Sequence, residues 1–451
     1  MRRRITEETV LFISIAKWVF LATIAGAIVG VSTAVFIKSL VWSISFAARF
    51  EYYFLLLPVA MLLSVLLVKY CAPDAEGHGT EKVIEAIHKN SGRIKLAVVP
   101  VKLLATIITL AAGGSVGKEG PCAQIGAGLT SLLARILRFD DSDCKKLVIC
   151  GISAGFAAVF GTPISGAIFG VEVLFAGAIM YDVLLPSFIA GITAHQVAGW
   201  LGVTYFYHPI QFMPVFSETF FLKVILAGVF FGLCAGFLIE SLKFGHILSS
   251  KIKLSAAVKA LLGGAILVVM TFIFSTRYLG LGLDSIESAL QGTKMPWYAF
   301  IMKSIYTSIT LSFGGSGGIV TPIFFVGAVA GSFFATILGL NVATFSAIGL
   351  VSLLAGAANT PISASIMAVE LFGPKLAPYA AVACVISFLM TGHRSVYPSQ
   401  ILAASKSSSI KVDIGKEIED VNAEYQPRKK SLITAAAKIM RDIGSLFTRK
   451  H

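Results

Sequence analysis

The sequence predicts an all-α polytopic membrane protein made of two related halves, each with many short or interrupted helices. Three observations carry this. The first is composition: of 451 residues, 56% are hydrophobic and only 14% charged, with a mean hydropathy of +0.84. A soluble chain of that length cannot cover its surface with so few charges. The second is a set of long apolar runs, clearest at 19–37, 53–68 and 222–239. The third is internal repetition. "GGSVGKEGPCAQIGAG" at 113–128 aligns without a gap on "GGSGGIVTPIFFVGAV" at 314–329. "TPISGAIFGVE" at 162–172 aligns on "TPISASIMAVE" at 360–370, and "GHGTEKVIEAI" at 77–87 more loosely on "GLGLDSIESAL" at 280–290.

Taken in order, the chain opens with a short basic segment, 1–14, containing "MRRR". The first apolar run is too long for a cleaved signal and lacks a small-residue cleavage site. Residues 15–210 form the first repeat and 211–405 the second. A short basic tail, 406–451, closes the chain. The net charge is +13, much of it at the two ends. On a membrane protein, basic ends mark cytoplasmic termini, and nucleic acid is not an expected partner. The expected setting is the cell membrane, in contact with lipid. In the tail, Leu432, Ala436, Ile439, Ile443 and Phe447 share a face at helical spacing, suited to an inner-leaflet or subunit contact. The six cysteines are scattered, form no CxxC pair and read as packing residues.

Within the repeats, "VKLLATIITLAA" is too short for a spanning helix of about 20 residues. Short segments broken at matching positions of two halves predict helices that meet near the membrane midplane around a small-ligand site. The loops "GKEGP" and "GIVTP" each pair glycine with a proline suited to a first helical turn. Glycine lets backbone N–H groups converge, and a helix N-terminus carries unpaired donors with partial positive charge. Two such ends would hold an anion without fixing a full cation in the pore, which suits passage. "GHGTE" is a third candidate helix start. Glu119 is then a carboxylate at an anion site: ionised it occupies the pocket, protonated or swung away it vacates it. An intramembrane carboxylate is a functional candidate.

These residues resemble the CLC family of chloride channels and proton/chloride antiporters, over about residues 15–405. "GKEGP" is similar to the family's glutamate-gate motif, "GGIVTP" to its second pore loop, and "GHRSVYPSQIL" to the segment bearing its pore tyrosine. "GHGTE" lies where the family has Gly-Ser-Gly-Ile-Pro. The resemblance implies a CLC-type inverted-repeat fold and a homodimer with one pore per subunit. It also implies Glu119 as the gating glutamate, with Gly117, Lys118, Gly120 and Pro121 in its loop. Amides of Ile319 and Val320, with the hydroxyl of Tyr397, would hold the anion. Lys118 would help draw anions in.

Three departures stand out. The family's anion-contacting serine is His78 here, a group able to carry charge near neutral pH. The pore-loop phenylalanine is Val320, followed by Thr321; fluoride-selective members are altered in the same loops. The position of the antiporters' inner proton glutamate is Val173, as in channels, next to Glu172. The expectation is therefore glutamate-gated chloride transport with channel-like conduction and no cofactor. The alternatives are proton-coupled antiport and fluoride export. Glu172 and Glu370, at matched positions, read as acceptors for nearby backbone amides. An intramembrane enzyme is a remote alternative: there is no HExxH, no metal site, and no nucleophile motif with a base.

Overall fold

Sixteen α-helices occupy the described residues and form two series of eight. The computed structural model describes residues 2–205, 207–210 and 217–426. The first series is α1 (Arg2–Ala47), α2 (Leu57–Cys71), α3 (Thr80–Lys89), α4 (Val98–Ala111), α5 (Glu119–Ile136), α6 (Asp141–Phe160), α7 (Pro163–Glu172) and α8 (Leu184–Trp200). The second is α9 (Glu218–Lys251), α10 (Ala256–Ile273), α11 (Leu283–Leu290), α12 (Ala299–Ser312), α13 (Val320–Leu338), α14 (Val342–Ala358), α15 (Pro361–Phe372) and α16 (Ala377–Met390). Each helix of the first series has its counterpart in the second, and the sequence matches fall on α3 and α11, α5 and α13, and α7 and α15. Among the described residues, six helical stretches are long and apolar enough to cross a membrane, and they include the three runs read from sequence. Helices α4, α14 and α15 are shorter apolar pieces.

Local chemistry sets the helix ends. Asp140 caps α6 by accepting the Asp143 amide at 2.8 Å, and Gly161 ends it in the left-handed region. Proline opens both α7 and α15. In each half a glycine brings two helices into backbone contact. A Cβ on Gly126 of α5 would lie 2.5 Å from the Gly151 carbonyl oxygen of α6, and one on Gly327 of α13 would lie 2.4 Å from that of Gly349 on α14. Small residues at such crossings are how membrane helices approach closely.

The halves are joined by reciprocal bonds. Glu172, at the end of α7, accepts the amides of Ile362 (3.0 Å) and Ser363 (2.8 Å) at the start of α15. Glu370, on α15, accepts those of Ile164 (2.9 Å) and Ser165 (2.8 Å) at the start of α7. The Ser165 hydroxyl donates to the Ser363 carbonyl at 2.9 Å, and the Ser363 hydroxyl returns the bond at 3.0 Å. The two glutamates therefore satisfy backbone amides, as their matched positions suggested, and the amides belong to the opposite repeat.

Part of the segment expected as tail is ordered against the helices. Strand β1 (Phe175–Ala176), just after α7, pairs in parallel with β2 (Ile401–Leu402). Strands β3 (Ile410–Val412) and β4 (Ala423–Tyr425) form an antiparallel pair beyond it. Ala176, Leu402 and Ile418 make a small core there. The amphipathic face at 432–447 lies outside the described residues. The described cysteines are all free, and only Cys71 is exposed.

Removing either glutamate leaves two amides at the start of the opposite repeat's helix without their acceptor. Glu172→Ala and Glu370→Ala are each expected to cost about 1–3 kcal/mol per unsatisfied group, read as a lowered unfolding midpoint in detergent. Equal stability of wild type and both variants would show that the reciprocal caps do not hold the halves together.

Candidate functional site

The two glycine loops meet at the centre of the molecule. The Gly117 amide donates to the Gly318 carbonyl and the Gly318 amide to the Gly117 carbonyl, both at 2.6 Å. Behind them, the Ser115 amide donates to Thr310 Oγ1 of α12 at 3.2 Å, and the Ser316 amide to Thr109 Oγ1 of α4 at 3.1 Å. Each loop is thus tied to a helix of the opposite repeat. The result is that α5 and α13 begin side by side, their first-turn amides lacking intrahelical partners.

Into this junction goes Glu119, the first residue of α5 and 1% exposed. Its carboxylate accepts the Thr321 amide at 3.0 Å and the Thr321 hydroxyl. A carboxylate from one repeat therefore caps the helix that opens the other, where donors and the helix dipole favour negative charge. Gly117 permits the approach: a Cβ there would lie 2.4 Å from Glu119 Oε2 and 3.0 Å from the Thr321 amide nitrogen.

Helix α3 brings a third N-terminus to the same place. A Cβ on Gly79 would meet the Gly120 carbonyl oxygen at 2.5 Å, and one on Gly120 would meet the His78 carbonyl oxygen at 2.0 Å. From the far end of the chain, Tyr397 arrives fully buried, its ring centroid 5.6 Å from that of His78. Thr80 Oγ1, the Tyr397 hydroxyl and His78 Nδ1 are all buried; the two hydroxyls pair with each other, and His78 Nδ1 has no hydrogen-bond partner. Buried polar groups are normally satisfied, and hydroxyls paired only with each other beside a helix N-terminus suit an anion.

The structure places His78, Gly117, Gly120, Ile319, Val320 and Tyr397 around this junction. Ile319 and Val320, both buried, are the cap and first residue of α13. The Gly117 amide is engaged by Gly318. Lys118, half-buried at the start of α5, makes no side-chain cap bond. Val173 is buried, and its carbonyl accepts Gln400 Nε2 at 2.7 Å. Sequence reading missed several polar residues here. Thr321 was noted only as Val320's neighbour, and Thr80 not at all. Two fully buried lysines also escaped it. Lys102 Nζ donates to the carbonyls of Ala75 (3.1 Å) and Gly77 (2.5 Å), just ahead of α3. Lys303 Nζ donates to those of Tyr278 (3.1 Å) and Gly280 (2.7 Å), ahead of α11. The signal was available: "KLLATIITL" at 102–110 and "KSIYTSITL" at 303–311 extend the repeat backwards.

Comparison with known proteins agrees with this geometry. The family described as voltage gated chloride channel matches residues 59–392. A chloride/fluoride channel protein of Pseudomonas syringae pv. tomato is 35% identical over 409 residues, covering 89% of this chain and 90% of that protein. The chain belongs to the CLC family. It is a membrane transport protein and not an enzyme. The voltage-gated ClC-type chloride channel ClcB of Escherichia coli is 28% identical over 336 residues, 71% of this chain and 79% of its own. Among solved structures, a CLC-type fluoride/proton antiporter superposes with a TM-score of 0.82 at 27% identity, covering 85% of this chain and 98% of that one. A slow cyanobacterial chloride/proton antiporter, at 19% identity and a TM-score of 0.73 over 83% of this chain and 94% of its own, shares the fold. The expected CLC-type architecture is the one observed.

The contact between Gly117 and Glu119 gives a direct test. A methyl group at 117 must displace the carboxylate or the start of α13, an overpacking cost of about 1–3 kcal/mol. Gly117→Ala is expected to change anion flux from proteoliposomes by about 10- to 100-fold with the protein still folded. Wild-type flux in the variant would mean that Glu119 does not need its present position.

Proposed function

We propose that the chain moves a small halide across the membrane through a central site that Glu119 closes, and that fluoride is the ion it handles in preference to chloride. One observation carries the reading of Glu119. Its carboxylate occupies the donors at the start of α13, where a transported anion would find the Thr321 amide and hydroxyl. A carboxylate and a halide compete for the same donors, so binding of one releases the other. Protonation removes Glu119 from the competition, since a neutral acid gains little from the helix N-terminus.

The preference for fluoride has two supports. The 35%-identical relative and the structural neighbour at a TM-score of 0.82 both carry fluoride in their descriptions. The junction also offers the paired hydroxyls of Thr80 and Tyr397 beside that of Thr321. A small hard anion is the strongest hydrogen-bond acceptor among halides, and it loses most on leaving water. Short O–H donors in a dry site replace that water best. A second reading, chloride conduction, draws on the 28%-identical ClcB and on Val173, which puts no carboxylate at the inner position. In both readings the protein is expected to work in the cell membrane as a homodimer with cytoplasmic termini, with His78 and Tyr397 touching the ion.

The test is efflux from proteoliposomes followed with fluoride- and chloride-selective electrodes. Wild-type fluoride efflux is expected to outrun chloride efflux and to rise as the medium is made acid, because acid frees Glu119 from Thr321. Glu119→Gln is expected to lose that pH dependence. Chloride outrunning fluoride would support the second reading. A glutamine variant that keeps the wild-type pH response would remove Glu119 as the gate.

A further inference from the structure

Helix α3 carries a second carboxylate towards the junction. Glu81 follows Thr80 in its first turn. One oxygen, Oε1, accepts the Ser399 amide at 2.9 Å and the Ser399 hydroxyl. The other, Oε2, is buried with no hydrogen-bond partner. Ser399 lies two residues beyond Tyr397, and its neighbour Gln400 donates to the Val173 carbonyl at 2.7 Å. The segment 397–400 therefore touches the anion junction, Glu81 and Val173 in turn. The groups acting on Glu81 are Lys82 and Glu85 on its own helix and Tyr397 from the loop. Glu85 is held by Lys82 at 2.9 Å and Lys89 at 3.7 Å. Glu81 has no ion pair among the described residues.

From this end α3 runs ten residues, about 15 Å, to Lys89, which is exposed and pairs with Glu417 of the C-terminal segment at 3.1 Å. Glu81 thus stands between the pore and the face that carries residues 401–426. Tyr397 interacts with both Glu81 and Glu119, and its hydroxyl pairs with that of Thr80. A hydroxyl that accepts one proton while releasing its own passes charge without moving.

From this arrangement we infer that Glu81 is the inner proton acceptor of the transporter, supplying from α3 the carboxylate that position 173 lacks. In the step it performs, Glu81 takes a proton from water on the C-terminal face. The Thr80 and Tyr397 hydroxyls each accept one proton and release one, and Glu119 receives the last as its carboxylate leaves Thr321. The halide moves the opposite way. This rests on Glu119 as the gate and adds proton coupling to it.

The test uses the full-length protein in vesicles with an outward fluoride gradient and no imposed pH gradient, recording fluoride and external pH together. Wild type is expected to drive protons uphill as fluoride leaves. Glu81→Gln is expected to lose proton movement by about 100-fold, while fluoride efflux, whose gate can still take a proton from an acid medium, falls much less. A wild type that moves no protons uphill overturns the assignment of Glu81; the gate is judged separately by the pH response of Glu119→Gln. A Glu81→Gln protein with unchanged proton coupling also overturns it, as does one that slows fluoride and protons equally. If the glutamine form does not fold, Glu81→Asp decides. Retracting the carboxylate by one methylene is expected to slow protons more than fluoride, and equal slowing counts against the inference.

Discussion

The centre of this molecule depends on one pair of hydrogen bonds, the reciprocal bridge between Gly117 and Gly318. Lipid offers no partner for a stray amide or carbonyl, so irregular backbone at membrane depth survives only where protein satisfies it. Here each repeat satisfies the other. The bridge, the serine–threonine ties at Thr109 and Thr310, and the caps from Glu172 and Glu370 all cross from one half to its counterpart. Neither half could form its broken helices alone in an apolar medium without leaving these groups unpaired. Interruption of the helices and duplication of the chain are thus one constraint seen twice.

A strictly symmetric centre would present two equal helix starts and no reason to open or close. Between the recurring Gly117 and Pro121 the sequence breaks the symmetry at all three positions, beginning with Lys118 against Ile319. Where the first repeat has Glu119 and Gly120, the second has Val320 and Thr321. The carboxylate on one side meets the hydroxyl and amide on the other, a pairing only unlike residues can make. Backbone donors are supplied by the duplicated scaffold, and the competitor for them by a residue that departs from it, Glu119.

That division also explains what could be read from sequence. Gly113, Gly117, Pro121 and Gly126 recur in the second half because the backbone conformation demands them, so repetition exposed the helix starts. Apolar runs such as 222–239 exposed the spanning helices, since lipid imposes composition on them directly. The partners of Glu119 and Glu81 were not legible. Thr321 and Ser399 are 202 and 318 residues away, and small hydroxylic residues are common in membrane helices for ordinary backbone bonding. Short strands β1 to β4 were also hidden. Two- and three-residue pairings at the edge of a helical protein leave no periodicity to detect.

Lys102 and Lys303 show how the scaffold can shape the site without touching the ion. Each is fully buried, and each turns its Nζ to two carbonyls of the loop before a short helix. In the second half that loop leads to α11 and ends in structure alone. In the first half, the carbonyl of Gly77 is held while the next residues, His78 and Gly79, lie against Tyr397 and Gly120. The same device thus fixes two helix starts, and the first of them reaches the junction beside Gly120. A lysine aimed at the ion would bind too tightly to release it. Turned back onto carbonyls, it orients the backbone, and under the proposed function the ion meets only neutral donors and one removable carboxylate.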